Sequence, residues 1–303
     1  MLKFQFLFCC MLLMMIVPAM AHAKRAAHKP AATHKHASTH AKRVAFRPAV
    51  RARAATVIDM NTGKTVYAKN PDAPMPLASL TKLLTAIVVL DSKRSLHTPQ
   101  RVTDADVDRL KWSRSRLPVR SLLLRSTLLH IALMSSENRA AFALSRDYSG
   151  GRAGFVAAMN RTAHRLHMSR SHFVDPTGLS PHNVSTARDL TRLARAAYRY
   201  PQIRQYSTGH QKLVLGGGGP LIYRNTDPLV YRASWQVGLQ KTGFTNEAGH
   251  CLIVVTPVHG HRMLIVLLGD PDAQSHVQDA VDLRRWLMVA LHHPAARAHR
   301  AAH

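Results

Sequence analysis

Met75-Pro76-Leu77-Ala78-Ser79-Leu80-Thr81-Lys82-Leu83 opens an apolar pattern in which Leu80, Leu83, Leu84 and Ile87 recur at helical spacing. The spacing predicts a helix over Ser79 to Leu90. Ser79 stands at its first turn, where free backbone N–H groups and the helix dipole favour developing negative charge. Lys82, three residues on, shares the face of Ser79. A serine hydroxyl is a weak nucleophile until a base takes its proton, and a lysine serves as that base only when neutral. Burial or a second cation lowers a lysine pKa, and Lys241 is the candidate cation.

Two further short motifs follow: Ser136-Glu137-Asn138, and Lys241-Thr242-Gly243. A lone serine at a helix start is ordinarily an N-cap. Three motifs in this order, each in a fitting setting, instead point to an acyl-transfer site. Ser136 is placed to relay a proton between Lys82 and a leaving amine. The Asn138 amide is suited to bind the substrate backbone and Lys82. Lys241 and Thr242, on a strand, offer charge-assisted hydrogen bonds to a substrate carboxylate. Gly243 leaves room for the substrate backbone against the strand. The Ser79 and Phe244 N–H groups complete a candidate oxyanion hole.

Outward from these motifs, Thr56 to Asp59 and Thr65 to Tyr67 read as strands about an Asn61-Thr62-Gly63 turn. Ser121 to about Arg199 reads as mainly helical. Val237 to Lys241, Cys251 to Thr256 and Met263 to Leu268 read as strands, and His276 to Leu291 as a closing helix. Strands from both ends around a helical insert predict an α+β fold with one antiparallel sheet. The Gly216–Gly219 run lacks the Lys-Ser/Thr of a phosphate loop and precedes Pro220, so it reads as a turn.

The chain has 303 residues and a formal net charge of +26, with Glu137 and Glu247 as its two glutamates. Lys3, the apolar run Phe4 to Val17 and the small residues to Ala23 read as an export signal at residues 1–23, cut after Ala21 or Ala23. That run is shorter than the roughly 20 residues a membrane span needs. Residues 24–53 carry nine Lys or Arg and no acid, a composition that reads as a basic linker. Its histidines read as solvated, so no metal site is expected. Residues 54–291 form the folded domain and residues 292–303 a basic tail. After signal removal Cys251 is the remaining cysteine, which excludes an internal disulfide. Its apolar run predicts a buried, inert thiol. Nucleic-acid binding would account for the charge but not for the export signal. An anionic envelope surface, met through the linker, accounts for both.

The chain resembles the serine D-Ala-D-Ala peptidases, the low-molecular-mass penicillin-binding proteins, and most of all their D-alanyl-D-alanine endopeptidase subgroup. The likeness runs from about Ala54 to Leu268. Beyond the motifs it includes Asp175-Pro176-Thr177-Gly178-Leu179-Ser180, Asn183, Ser185-Thr186-Ala187 and Glu247-Ala248-Gly249. The resemblance implies a penicillin-binding, β-lactamase-like fold with a helical subdomain. It also implies an acyl-enzyme on Ser79, general-base Lys82, relay Ser136 and substrate-binding Lys241, with no cofactor. Peptidoglycan stem peptides and cross-links are the implied substrates, β-lactams the covalent inhibitors, and the periplasm the implied address. Arg120 stands where relatives lead one to expect glycine.

The motifs leave a D,D-carboxypeptidase open. Subgroup likeness, and the short stretch after Leu291, favour cutting of cross-links. A serine β-lactamase would need a glutamate outside the motifs to activate water, and both glutamates lie in or beside one. A non-catalytic wall-binding protein would require three intact motifs to be vestigial.

Overall fold

The structure is a computed structural model that describes residues 48–216 and 219–292. The expected export signal, the basic linker up to residue 47 and the tail from residue 293 lie outside the described residues.

Two strands, β1 (Ala54–Asp59) and β2 (Thr65–Lys69), form the first hairpin. Asp59 closes its turn by accepting from the Asn61 N–H and the Thr62 hydroxyl, both at 2.9 Å. The short β3 (Met75–Pro76) leads into a 3₁₀ turn at Ala78–Leu80 and then α1 (Thr81–Asp91). After β4 (Pro99–Arg101) and its partner β5 (Leu122–Leu124) come α2 (Arg125–Met134), α3 (Asn138–Arg146) and α4 (Gly151–Arg165). The short β6 (Val184–Ser185) pairs with β3 and precedes α5 (Ala187–Tyr198) and α6 (Pro201–Thr208). A hairpin of β7 (Gln211–Leu215) and β8 (Pro220–Arg224) follows. The chain then returns to the main sheet through β9 (Leu239–Thr245), β10 (Gly249–Val258) and β11 (His261–Asp270), and closes with α7 (Ser275–His292).

The main sheet has the order β2-β1-β11-β10-β9 and is antiparallel throughout. Strands from both ends of the domain do meet in one sheet, as expected. Its central strands are covered on both faces, so they read as continuous apolar runs. Leu264, Val266 and Leu268 of β11 join the cluster shared with the helical insert. Met263, Ile265 and Leu267 pack instead with Ala280, Leu283 and Leu287 of α7. Cys251 faces the first cluster, fully buried, and burial pushes its thiol up to about 12. The inert reading of this cysteine holds.

Two expectations need correction, and one hairpin was passed over. The domain is packed from Pro48 rather than Ala54. Val50 and Ala52 belong to the cluster under α7, the Ala52 N–H donates to Asp279 at 2.8 Å, and Lys69 donates to the Val50 carbonyl at 2.8 Å. The region from Ser121 to Arg199 is less helical than its apolar faces suggest, because β5 opens it and residues 166–186 form a long connection apart from β6. β7 and β8 escaped the period reading because their outer faces are apolar too, and the middle of the glycine run read as a turn lies outside the described residues. Arg120, the departure from glycine, sits at φ +72, a left-handed conformation that glycine adopts freely.

The packing of residues 48–53 sets a test. A chain beginning at Ala54 should unfold several degrees below one beginning at Pro48, a loss of about 2–3 kcal/mol from exposed apolar surface and an unpaired Asp279. Thermal unfolding of the two chains checks this; equal midpoints would restore the longer linker.

Candidate active site

The 3₁₀ turn at Ala78–Leu80 places Ser79 at the mouth of α1, and one turn later Lys82 reaches back to it. Lys82 is 1% exposed. Its Nζ lies 2.8 Å from Ser79 Oγ, 2.7 Å from Asn138 Oδ1 and 2.9 Å from the Thr177 carbonyl. Three acceptors match the three protons of an ammonium. Burial pulls the Lys82 pKa from 10.5 down to about 7, against the opposing charges of Asp175, Glu137 and Asp108. A lysine so lowered can take its neutral form near neutral pH. Sequence reasoning expected burial and Lys241 together to lower it; burial is the dominant cause, and Lys241 is not among the charges that act on it.

Two glycines let the backbone close on Ser79 from either side. A Cβ on Gly178 (φ +86) would lie 1.7 Å from the Ala78 carbonyl oxygen, and one on Gly243 would lie 2.9 Å from the Ser79 nitrogen. Gly243 is thus required by the packing of β9 on the serine turn, a different reason from the substrate clearance expected. Between them Ala78 takes φ +46, and across the groove Ser136 takes φ +59. Non-glycine residues in that region cost about 1–3 kcal/mol each and gather at functional sites.

Asn138 begins α3, so its Oδ1 reaches Lys82 while its Nδ2 donates to Ser113 Oγ at 2.9 Å. The Thr177 carbonyl is aimed by Asp175, whose carboxylate accepts from the N–H groups of Thr177 (2.6 Å), Gly178 (2.8 Å) and Ser180 (3.0 Å). Asn183 ties this loop to α1 by donating to the Thr81 hydroxyl at 3.2 Å. Glu137 caps α3 by accepting from the Arg139 N–H, and Glu247 is ion-paired with Lys111.

The sequence-expected residues do converge. Ser79, Ser136, Asn138, Thr242, Gly243 and Phe244 line one groove of about 470 Å³. Two expectations change in detail. Ser136 lines the groove but is not among the three groups around Lys82 Nζ, where the Thr177 carbonyl stands instead. Lys241 is fully buried behind the groove, with its Nζ donating to the Thr242 carbonyl at 2.8 Å. Burial and the Lys82 charge hold its pKa well below 10.5, while Asp227 opposes them. Thr242 faces the groove directly, its hydroxyl 2.6 Å from that of Thr226. Thr177, Ser113 and Thr226 were missed. The Asp-Pro-Thr-Gly turn was a signal for the first, since Asp side chains fold such turns on themselves.

Comparison with known proteins agrees with this geometry. Residues 39–272 match the D-alanyl-D-alanine carboxypeptidase family of peptidases. The D-alanyl-D-alanine endopeptidase of Pseudomonas aeruginosa is 46% identical over 251 residues, 81% of each chain. That of Escherichia coli is 42% identical over 260 residues, 85% of this chain and 84% of its own. A D-alanyl-D-alanine carboxypeptidase of E. coli is 31% identical, covering 79% of this chain and 63% of its own. Among solved structures, the Streptomyces K15 DD-transpeptidase superposes with a TM-score of 0.75 at 26% identity, over 80% of this chain and 99% of that one.

Gly178→Ala tests the positioning. The added methyl must push the loop off the Ala78 carbonyl and carry the Thr177 carbonyl away from Lys82. Acylation of Ser79 by a penicillin should fall by about a hundredfold, as for reacting groups displaced by an ångström. Stopped-flow acylation rates check it, and an unchanged rate would contradict the role given to Thr177.

Proposed function

Because this chain belongs to the D-alanyl-D-alanine carboxypeptidase family, we propose that it is a serine D-alanyl-D-alanine endopeptidase that hydrolyses D-Ala cross-links in peptidoglycan. The contact that carries this reading is the 2.8 Å approach of a buried lysine, with a pKa of about 7, to a serine hydroxyl.

In the proposed reaction neutral Lys82 takes the Ser79 proton as Oγ attacks the D-alanyl carbonyl carbon. The tetrahedral oxyanion is held by the Ser79 and Phe244 N–H groups. As the carbon–nitrogen bond breaks, the amine of the second peptide leaves with the proton that Lys82 took. Ser136, on the groove wall, is the hydroxyl that would hand it across, through a contact with Lys82 that bound substrate has to complete. Water then enters and the same groups release the acyl chain. Asn138 holds the substrate amide. The Thr242 hydroxyl binds the carboxylate end, and Lys241 supports that strand from behind through its hydrogen bond to the Thr242 carbonyl rather than by direct contact with substrate. Neither Glu137, on its helix cap, nor Glu247, paired with Lys111, lines the groove. That arrangement supports slow deacylation, so β-lactams persist as acyl-enzymes on Ser79.

The choice of endopeptidase over carboxypeptidase rests on the two endopeptidase relatives at 46% and 42%, against 31% for the carboxypeptidase. We propose further that residues 1–23 direct export to the periplasm and that the basic linker meets the anionic envelope there.

Labelling with a fluorescent penicillin, followed by digestion of cross-linked muropeptide dimers, tests the reading. Wild type should label stably and turn dimers into monomers, and Ser79→Ala should do neither. Release of terminal D-Ala alone would make the chain a carboxypeptidase. No labelling would refute the mechanism.

A further inference from the structure

The loop from Asp108 to Arg116 presents an aromatic ring to solvent while holding its backbone rigid. Trp112 is 73% exposed and Leu110 58%. Surface loops are ordinarily more mobile than the elements they connect. Here the Asp108 carboxylate, itself buried, accepts from the N–H groups of Leu110 (2.8 Å), Lys111 (3.1 Å) and Ser113 (2.8 Å). On one side of Trp112, Lys111 is ion-paired with Glu247 in the turn between β9 and β10. On the other, Ser113 accepts from Asn138 Nδ2 and lines the catalytic groove. Trp112 itself takes φ +52, a conformation that few non-glycine residues adopt. An exposed tryptophan is thus fixed one residue from the groove lining, between two anchored neighbours.

We propose that Trp112 is a platform for the sugar rings of the substrate, stacking on the apolar face of a hexosamine in the glycan strand that bears the cross-linked peptide. The proposal rests on the peptidoglycan reading and extends the substrate from the peptide to its glycan. Several observations favour a sugar. A rigid indole offers a flat apolar surface with a polar N–H edge, suited to a ring with one apolar face and hydroxyl edges. Its neighbour Ser113 lines the same groove as Ser79, so the ring stands at the rim of the site that would hold the peptide. Arg109 and Arg114 lie within three residues of it in the same loop, both exposed, so that free carboxylates on stem peptides meet positive charge. The same charge disfavours a second copy of this basic chain as the occupant.

The test compares two substrates on the chain as secreted: a cross-linked peptide dimer without sugar, and the same dimer bearing its disaccharides. Trp112→Ala should raise KM for the disaccharide-bearing dimer about three- to tenfold, the range of one aromatic stacking contact. Its kcat, its kinetics on the sugar-free dimer and its acylation by penicillin should stay at wild-type values. Trp112→Gly, which relieves the backbone but also removes the ring, should behave as Trp112→Ala, and Trp112→Phe should recover most of the loss. An equal change on both dimers, or none on either, would overturn the sugar platform. So would loss of binding to phosphatidylglycerol vesicles in Trp112→Ala with unchanged kinetics, which would make the loop a membrane contact. Absence of penicillin labelling in wild type would instead strike the peptidase reading, leaving the two failures distinct.

Discussion

A lysine side chain sealed from water is the constraint on which the rest of this structure depends. Moving the Lys82 pKa from 10.5 to about 7 amounts to a bias on the order of 5 kcal/mol against its charged form. Few buried ammonium groups survive without compensation. Here the Ser79 hydroxyl, the Asn138 amide and the Thr177 carbonyl supply it from three separate parts of the chain. Each of those parts must then be fixed. Asp175 fixes the Thr177 loop, the start of α3 fixes Asn138, and the 3₁₀ turn fixes Ser79. A neutral base held against a hydroxyl follows from the same packing that lets the lysine be buried at all.

Backbone geometry carries part of that cost. Ala78 and Ser136 adopt left-handed conformations, and Gly178 and Gly243 give up side chains so that two segments can close on the serine turn. The sheet makes this arrangement stiff. Buried on both faces along β10 and β11, it holds the edge strand β9 in register, and β9 brings Thr242, Gly243 and Phe244 to the groove. Lys241, on the same strand, is a second buried lysine, and the proximity of Lys82 depresses it further.

Much of this was legible in the residues. The spacing of Ser79 and Lys82 required a shared helical face, and the apolar runs Cys251–Thr256 and Met263–Leu268 read as strands of one antiparallel sheet. Local pattern fell short where the determinant was a distant partner. Residues 48–53 look like linker by composition, yet the Ala52 N–H is satisfied by Asp279, 227 positions away. Lys241 reads as a strand residue in direct contact with a substrate carboxylate, and only the packing behind the groove shows it buried. The Thr177 carbonyl has no side-chain signature, because a backbone acceptor is specified by the loop that aims it. Leu213 and Ile222 pair across the β7–β8 hairpin with both side chains exposed, so that hairpin lacks the alternation that normally betrays a strand.

The pH dependence of Ser79 acylation by a penicillin measures the central claim most directly. With Lys82 required neutral and its pKa lowered by burial to about 7, the rate should climb about tenfold per pH unit below pH 7 and level off above it. A rate that kept rising through pH 9 toward the ordinary lysine pKa would show Lys82 to be an unperturbed cation, and would contradict the account.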